Sequence, residues 1–205
     1  MRPWKPEWMA QGTRPTEPRD PARRRAPACP ADALSILKTP YLWRSVTSYF
    51  EDTIPTREVV SNVHVVPFVG SRVVLLHARE SGWGPSGGTV QDGEPIDSCV
   101  RRELAEEIGA EVRRYELFGQ WNSFTTAATA YRPWLPHPRF SIALGWADVL
   151  ITSSSQDDGG VEMESITEVV IMPVQGAVRR LADHGEHHLA ALYQLAYEVR
   201  RTANR

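Results

Sequence analysis

Residues 88–110 read GTVQDGEPIDSCVRRELAEEIGA, a glycine-rich turn followed by a segment with helical spacing. Proline is favoured at the first position of a helix, and glycine directly after its last turn. Pro95 and Gly109 therefore predict a helix that runs from Pro95 to about Ile108. The apolar stripe of this predicted helix consists of Ile96, Val100 and Leu104.

A cluster of three carboxylates occupies the last turns of the predicted helix. Glu103, Glu106 and Glu107 are spaced i, i+3 and i+4, so they share one side of it. Glu107 falls inside the apolar stripe, and partial burial makes repulsion among like charges more costly. The helix dipole also disfavours anions at this end. A hard cation would compensate, because Mg²⁺ and Mn²⁺ prefer carboxylate oxygens; the alternative is a solvated acidic face.

The whole segment resembles the Nudix box, G-x5-E-x7-R-E-U-x-E-E-x-G-U, in which U is an aliphatic residue. Every specified position is matched, by Gly88, Glu94, Arg102, Glu103, Leu104, Glu106, Glu107, Gly109 and Ala110. The preceding residues 76–79 and 83–88 also look like the strand and loop before the box. A weaker resemblance in the order of strands and helices extends over residues 58–183.

This resemblance implies an α/β (α+β) fold in which a mixed β-sheet is sandwiched between α-helices. The implied metal ligands are Glu103, Glu106, Glu107 and the carbonyl of Gly88. They would hold Mg²⁺, with Mn²⁺ as the alternative. Glu94 and Arg102 would pair and brace the loop on the helix. The cations would neutralise a diphosphate and lower the pKa of a bound water that attacks phosphorus.

The resemblance leaves the general base open, because family members use a glutamate in the box or one in a later loop. Glu107 is the candidate within the box. Three further candidates follow the polar loop Ser153–Gly160, and these are Glu162, Glu164 and Glu168. For each of these three taken alone, the pattern favours an ordinary surface carboxylate.

Substrate contacts are expected outside the box. Arg79 ends a predicted strand, where it can meet a phosphate or simply lie on the surface. Trp121 and Trp134 belong to an aromatic-rich connection over residues 121–138, where a ring can stack on a nucleobase. The alternative is that these rings cover the edge of the sheet. The expected substrate is a small-molecule diphosphate.

The chain is predicted to divide into three parts. Residues 1–30 are rich in proline and arginine and are expected to form a disordered arm. Residues 31–57 are expected to form a helical N-terminal extension, with helices at Ala31–Lys38 and Tyr41–Asp52. Residues 58–205 are expected to form the catalytic domain. Its other predicted elements are strands at Glu58–Phe68, Arg72–His77, Glu111–Phe118, Phe140–Ile151 and Glu168–Met172, a glycine-rich loop at Gly82–Gly93, and helices at Val174–Asp183 and Glu186–Thr202.

Composition limits the partners and the compartment. The net charge is −2, although residues 1–31 contain seven arginines or lysines and three acidic residues. Such a basic segment can touch nucleic acid, but its few apolar residues favour a solvated extension, so no nucleic-acid partner is expected. Two cysteines without metal-ligand spacing fit a reducing cytoplasm. Neither a signal peptide nor a membrane span is predicted, and a homodimer is left open.

Three functions are compatible with these patterns. The first is a metal-dependent hydrolase that cleaves the diphosphate linkage of a nucleoside diphosphate linked to another moiety, such as a nucleotide or a sugar. The second is a regulator that binds a nucleotide without turning it over. The third is a hydrolase dedicated to one pathway, acting on a sugar nucleotide or a prenyl diphosphate. The intact box favours hydrolysis over regulation.

Removal of residues 1–30 is expected to leave stability and kcat unchanged, because the arm is proline-rich and poor in residues that build a core. The check is the melting temperature and kcat of a chain that starts at Ala31. A fall of many degrees in the melting temperature would show instead that the arm packs on the domain or is exchanged between subunits.

Overall fold

The computed structural model describes residues 30–43, 45–79, 81–152 and 166–203, with side chains from residue 34 onward. The arm predicted over residues 1–30 falls almost entirely outside the described residues. The predicted loop Ser153–Gly160 and the candidate bases Glu162 and Glu164 also lie outside them. The predictions made for these residues remain predictions.

The described residues form four α-helices and nine β-strands. The helices are α1 Pro30–Leu37, α2 Ile96–Ile108, α3 Val174–Asp183 and α4 His187–Ala203. The strands are β1 Tyr41–Trp43, β2 Val46–Glu51, β3 Val60–Val69, β4 Arg72–Ala78, β5 Gly82–Gly84, β6 Ser86–Thr89, β7 Ala110–Thr125, β8 Arg139–Ile151 and β9 Ile166–Pro173. In this part of the chain, no helix combines the length and the apolar character needed to cross a membrane.

All nine strands belong to one mixed sheet. Its order is β1-β2-β7-β8-β3-β4-β5, and in addition β6 pairs with β3 and β9 with β4. β3 and β8 run parallel, whereas the other pairs are antiparallel. Along its other edge β3 pairs first with β6, at residues 62–65, and then with β4, at residues 68–69. This change of partner places β6, the strand before α2, directly beside the middle of the sheet.

Helices cover both faces of the sheet. Residues of β3 alternate between the two cores, so Val65 packs on the α2 side and Val66 on the side of α3 and α4. Tyr193 of α4 is fully buried, and its hydroxyl donates to the carbonyls of Val74 and Gly84 at 3.0 and 3.1 Å. The predicted sandwich of a mixed sheet between helices is confirmed.

The prediction of a helix at Tyr41–Asp52 is wrong, because this segment forms β1 and β2. β2 pairs antiparallel with β7, with Val46 opposite Thr125. Aromatic and β-branched residues suit a pleated surface, and the edge of the long strand β7 offers unpaired backbone groups with which β2 pairs. Tyr41–Trp43 and Val46–Glu51 therefore widen the sheet. Among the described residues of the predicted helical extension, the one α-helix is Pro30–Leu37.

Two further elements differ from the sequence predictions. The predicted glycine-rich loop Gly82–Gly93 contains β5 and β6, because its backbone pairs with β4 and β3. The strand predicted at Glu111–Phe118 continues to Thr125, so Trp121 belongs to a strand and not to a connection. These segments contain many small and polar residues, so they lack the alternation of apolar residues from which strands are predicted. The other predicted strands and helices begin and end within two residues of those observed.

Candidate active site

The ends of α2 fix the positions of its carboxylates. Pro95 has extended backbone angles and caps the helix, one residue before the helical position predicted for it. Gly109 is left-handed, with a φ of 61°, and its N–H donates to the Ala105 carbonyl at 3.0 Å. Glycine reaches this conformation without strain, so the helix stops where predicted. The last turn, which carries Glu106 and Glu107, therefore lies between two defined ends.

Glu107 is a buried carboxylate that is held by β6. Only 8% of its surface is exposed. Its Oε2 accepts a hydrogen bond from the Ser86 hydroxyl at 2.5 Å and another from the Gly87 N–H at 2.9 Å. Charge-assisted hydrogen bonds from two donors to one oxygen hold the carboxylate in a defined orientation. The strand that precedes the helix thus positions the innermost acid of the cluster.

The close approach of β6 to β3 requires glycine at residue 87. A Cβ there would lie 2.0 Å from the Val63 carbonyl oxygen, and φ is +151°. The sequence analysis assigned no role to Ser86 or Gly87, because serine among glycines is typical of any loop. The available signal was the run of three small residues at 86–88, which lets two backbones meet closely.

Arg102 connects the turn before α2 to the acidic cluster. Its guanidinium donates to both oxygens of Glu94, at 2.8 and 3.0 Å, and to the Thr89 carbonyl at 3.1 Å. It also donates to Glu103 Oε1 at 2.7 Å and to Glu106 Oε2 at 3.2 Å. A guanidinium that meets a carboxylate through two bonds gives both strength and fixed geometry. The turn is therefore tied to the helix by one side chain.

Burial and hydrogen bonding act in opposite directions on the acids around Arg102. Burial raises the pKa of Glu103 to about 7, although the Arg102 guanidinium favours its ionised form. Burial also raises the pKa of Glu94, but hydrogen bonds from Arg102 and the Gln91 N–H outweigh it, so that this pKa is lowered overall. Glu106 differs from both, since 46% of its side chain is exposed. The cluster therefore runs from a buried interior to solvent.

The donors in this cluster suit a hard divalent cation. A Cβ on Gly88 would lie 2.3 Å from Glu103 Oε1, so the glycine keeps the space beside that carboxylate open. Within the described ranges, no three acidic, histidine or cysteine side chains are grouped as a metal site. Arg102 explains this, because it binds Glu103 and Glu106 while Glu107 bonds to β6. The oxygen donors and the open space fit Mg²⁺ or Mn²⁺, and the metal ligation itself stays a prediction.

The other residues singled out from the sequence lie in different surroundings. Arg79 is exposed directly after β4. Trp134 is 40% exposed, and its indole N–H donates to the Val90 carbonyl at 3.2 Å, which holds the ring near the turn before α2. Glu168, a candidate base, lies on β9 and forms an ion pair with Arg180 at 3.8 Å. The described contacts do not join these residues directly to the carboxylate cluster.

Trp121 is a core residue, with 1% of its surface exposed. Its ring contacts Tyr41 at a centroid distance of 5.6 Å and Phe50 at 5.9 Å. In this packing it offers no open ring face, contrary to the expectation of a nucleobase stacked on a loop tryptophan. The expectation placed Trp121 in a loop. Because β7 continues through this residue, its side chain is buried in the core instead.

A family model and one similar solved structure agree with this architecture. A family model described as the NUDIX domain matches residues 58–192, which is more than half of the chain. The fold is similar to that of a mutant of the Bacillus subtilis pyrophosphohydrolase BsRppH, with a TM-score of 0.51 and 18% identity over 65% of this chain and 77% of that chain. A MutT NUDIX hydrolase from Burkholderia pseudomallei gives a TM-score of 0.42 and 17% identity, over 56% of this chain and 82% of its own. No curated protein matches. With the box intact and the family model matched from β3 into α4, the chain belongs to the Nudix hydrolase family.

Proposed function

We propose that this chain hydrolyses the diphosphate linkage of a nucleoside diphosphate joined to another moiety, with Mg²⁺ as cofactor and Mn²⁺ as its alternative. The observation that carries the proposal is the cluster of Glu103, Glu106 and Glu107 at the end of α2. Partners from β6 and the Arg102 guanidinium hold these acids in a partly buried position. An acidic patch that served only solubility would not need to be oriented in this way.

The residues of the site contribute mainly by positioning. Ser86 and Gly87 orient Glu107, while Glu94 orients Arg102. A bound divalent cation would neutralise the diphosphate and lower the pKa of a water beside it. Carboxylates that are fixed before substrate arrives need no rearrangement during the reaction, which is the main source of electrostatic catalysis.

The attacking water needs a proton acceptor, and four glutamates are proposed for this role. They are Glu107, Glu162, Glu164 and Glu168. The segment that contains Glu162 and Glu164 begins after Thr152, whose N–H and hydroxyl both donate to the Gly109 carbonyl at the end of α2. That junction supports a base from this segment, and Glu164 is the residue we propose within it.

Arg79 and Trp134 are proposed to contact the substrate. Arg79 carries an exposed positive charge at the end of β4, which suits a phosphate. The Trp134 ring is held by its bond to Val90 yet stays 40% exposed, so it can stack on a planar group. The guanidinium of Arg132 lies 5.9 Å from the centre of this ring and adds positive charge beside it.

We also propose a cytoplasmic location. Cys99 is a free, buried cysteine, and burial raises the pKa of its thiol, which keeps it protonated and unreactive. The part of the chain that the structure describes contains no disulfide, which suits a reducing compartment. A homodimer stays a prediction.

The proposal is tested by identifying the bond that is cleaved. The full chain is incubated with Mg²⁺ in ¹⁸O-water with dinucleoside polyphosphates, nucleotide sugars, nucleoside triphosphates and prenyl diphosphates, and products are followed by ³¹P NMR. We expect turnover of nucleoside diphosphate derivatives, with ¹⁸O in a single phosphate of the products. Binding of these nucleotides without turnover would indicate a regulator instead. Turnover confined to prenyl diphosphates would contradict the assigned substrate class.

A further inference from the structure

The turn at residues 91–94, directly before α2, is held by a side chain from outside the box. Arg57 donates from its Nε to the Glu94 carbonyl at 2.7 Å and from its Nη2 to the Gln91 carbonyl at 3.2 Å. Arg57 begins a single turn of 3-10 helix, Arg57–Val59, which directly precedes β3. One guanidinium therefore spans both ends of the turn.

The same turn sets the position of the Glu94 carboxylate. The Gln91 N–H donates to Glu94 Oε2 at 2.8 Å, and the Glu94 N–H donates to the Gln91 carbonyl at 3.0 Å. Both Glu94 oxygens accept from Arg102, which in turn donates to Glu103 and Glu106. A continuous chain of hydrogen bonds thus runs from the turn to two of the three carboxylates of the cluster.

The chemistry of the Arg57 side chain suits it to fixing a turn. A guanidinium is planar and its N–H groups point in fixed directions, so two bonds to two carbonyls define where both carbonyls lie. Hydrogen bonds from a charged donor are also stronger than those between neutral groups. Arg57 is half-buried, and its bond to the Glu94 carbonyl is partly shielded from solvent.

Stabilisation of α2 does not account for a cation at this place. Glu94 lies two residues before Ile96, the first residue of α2. The helix dipole disfavours positive charge near this end, where an acidic side chain would be more favourable. Both bonds of Arg57 go instead to the carbonyls of the turn. The feature that the residue stabilises is therefore the conformation of the turn.

We propose that Arg57 is a positioning residue for the carboxylate cluster. By fixing residues 91–94 it fixes Glu94, and through Glu94 and Arg102 it holds Glu103 and Glu106 in place for a divalent cation. The inference rests on the proposed function, because it assigns Arg57 to the metal site proposed there. Residues that orient metal ligands without touching the metal typically change metal affinity by ~10–100-fold when they are replaced.

Charge and position predict opposite effects of replacing Arg57. Arg57→Leu removes a positive charge from the neighbourhood of the cluster. If charge alone mattered, a divalent cation would bind more tightly to this variant, because one source of repulsion is gone. If the turn is released, the carboxylates lose their orientation and the cation binds more weakly. The direction of the change distinguishes the two effects.

The test is binding of Mn²⁺ to the full chain without substrate, followed by the electron paramagnetic resonance signal of free Mn²⁺. We expect the dissociation constant to rise about tenfold in Arg57→Leu. Arg57→Lys keeps the charge but lacks the planar fork that meets both carbonyls, so a rise of about threefold is expected. Where Arg57→Leu does not fold, Arg57→Lys decides.

Arg200→Leu is the matched control. Arg200 of α4 also donates to a carbonyl in a turn, that of Gly70 at 3.0 Å, and it pairs with Asp148. That turn follows β3, whereas Arg57 precedes it, and the ends of this 10-residue strand lie roughly 30 Å apart. Arg200→Leu should lower the melting temperature but change the Mn²⁺ dissociation constant by less than about twofold.

A second measurement needs no metal. Chemical denaturation in chelator of the wild type, Arg57→Leu, Arg102→Leu and the double variant measures the coupling between the two arginines. If Arg57 acts through the turn, the loss of stability caused by Arg102→Leu should be at most about half as large in the Arg57→Leu background. Additive losses would show that the two residues act independently, and they would overturn the inference.

The outcomes separate the inference from the proposed function. Unchanged or tighter Mn²⁺ binding in the folded Arg57 variants, or an equal weakening in Arg200→Leu, would overturn the role of Arg57 in a chain that still hydrolyses its substrate. A wild type that neither binds Mn²⁺ nor hydrolyses a diphosphate, but in which the two arginines are coupled, would overturn the proposed function alone.

Discussion

Replacement of Glu106 or Glu107 by glutamine is expected to lower kcat by a factor of about 10² or more, comparable to the loss of other preorganised electrostatic groups. Glutamine keeps the size of the side chain and its ability to accept a hydrogen bond while removing one negative charge. The amide oxygen at residue 107 can still accept from Ser86 and Gly87, so the position of the side chain should persist. The loss would then reflect charge and not geometry.

Stability should separate catalysis from folding in these variants. Glu106 is half exposed, so Glu106→Gln should change the unfolding free energy of the metal-free protein by no more than ~0.5 kcal/mol. Glu111→Gln is the matched control, because Glu111 is an exposed acid at the start of β7 that pairs only with Arg113 among the contacts described. It should leave kcat unchanged. Unchanged rates in both cluster variants, on a substrate that the wild type hydrolyses, would remove these residues from the mechanism.

Replacement of Arg102 by leucine is expected to lower the unfolding free energy by about 3 kcal/mol, since removing one member of a buried ion pair leaves the other uncompensated. Only 23% of the Arg102 side chain is exposed, and Glu94 and Glu103 are exposed by 11% and 12%. Both acids would stay in place without their shared cation. Excess Mg²⁺ should recover part of the loss, because a bound cation offsets the same charges.

Arg101→Leu is the control for this experiment. Arg101 is the neighbouring arginine, half exposed, and it pairs with Asp97 across one helical turn. An exposed pair of this kind contributes little, so the change should cost less than ~1 kcal/mol. Chemical denaturation of both variants and the wild type measures the difference. Equal losses in the two variants would show that Arg102 has no special role in holding the cluster.

The sequence was sufficient to predict α2 and its carboxylates because the rules involved are local. Helix ends depend on neighbouring residues such as Pro95 and Gly109, and the i, i+3, i+4 spacing of acids fixes a shared side. The mixed sheet between helices followed from the resemblance carried by the box. None of these inferences required knowledge of which strands pair.

The parts that the sequence did not predict depend on pairing between distant segments. β2 is a strand because it pairs with the edge of β7, and β1 in turn pairs with β2; no local pattern in residues 41–52 reveals this. Asn62 and His64 are isolated polar residues in a valine-rich strand. The face they occupy depends on a register shift between Val60 and Asn62, and a shift of one residue exchanges the faces of a strand. Ser86 and Gly87 likewise gain their role only when β6 meets α2.

The most direct test of a catalytic metal at the acidic cluster is hydrolysis before and after metal removal. The full chain is stripped with chelator, its metal content is measured, and the rate is followed on a substrate that the wild type turns over in Mg²⁺. The rate should vanish in chelator and return on addition of Mg²⁺ or Mn²⁺, because the three carboxylates alone would repel the diphosphate. Full activity in chelator, after verified removal of metal, would contradict the mechanism.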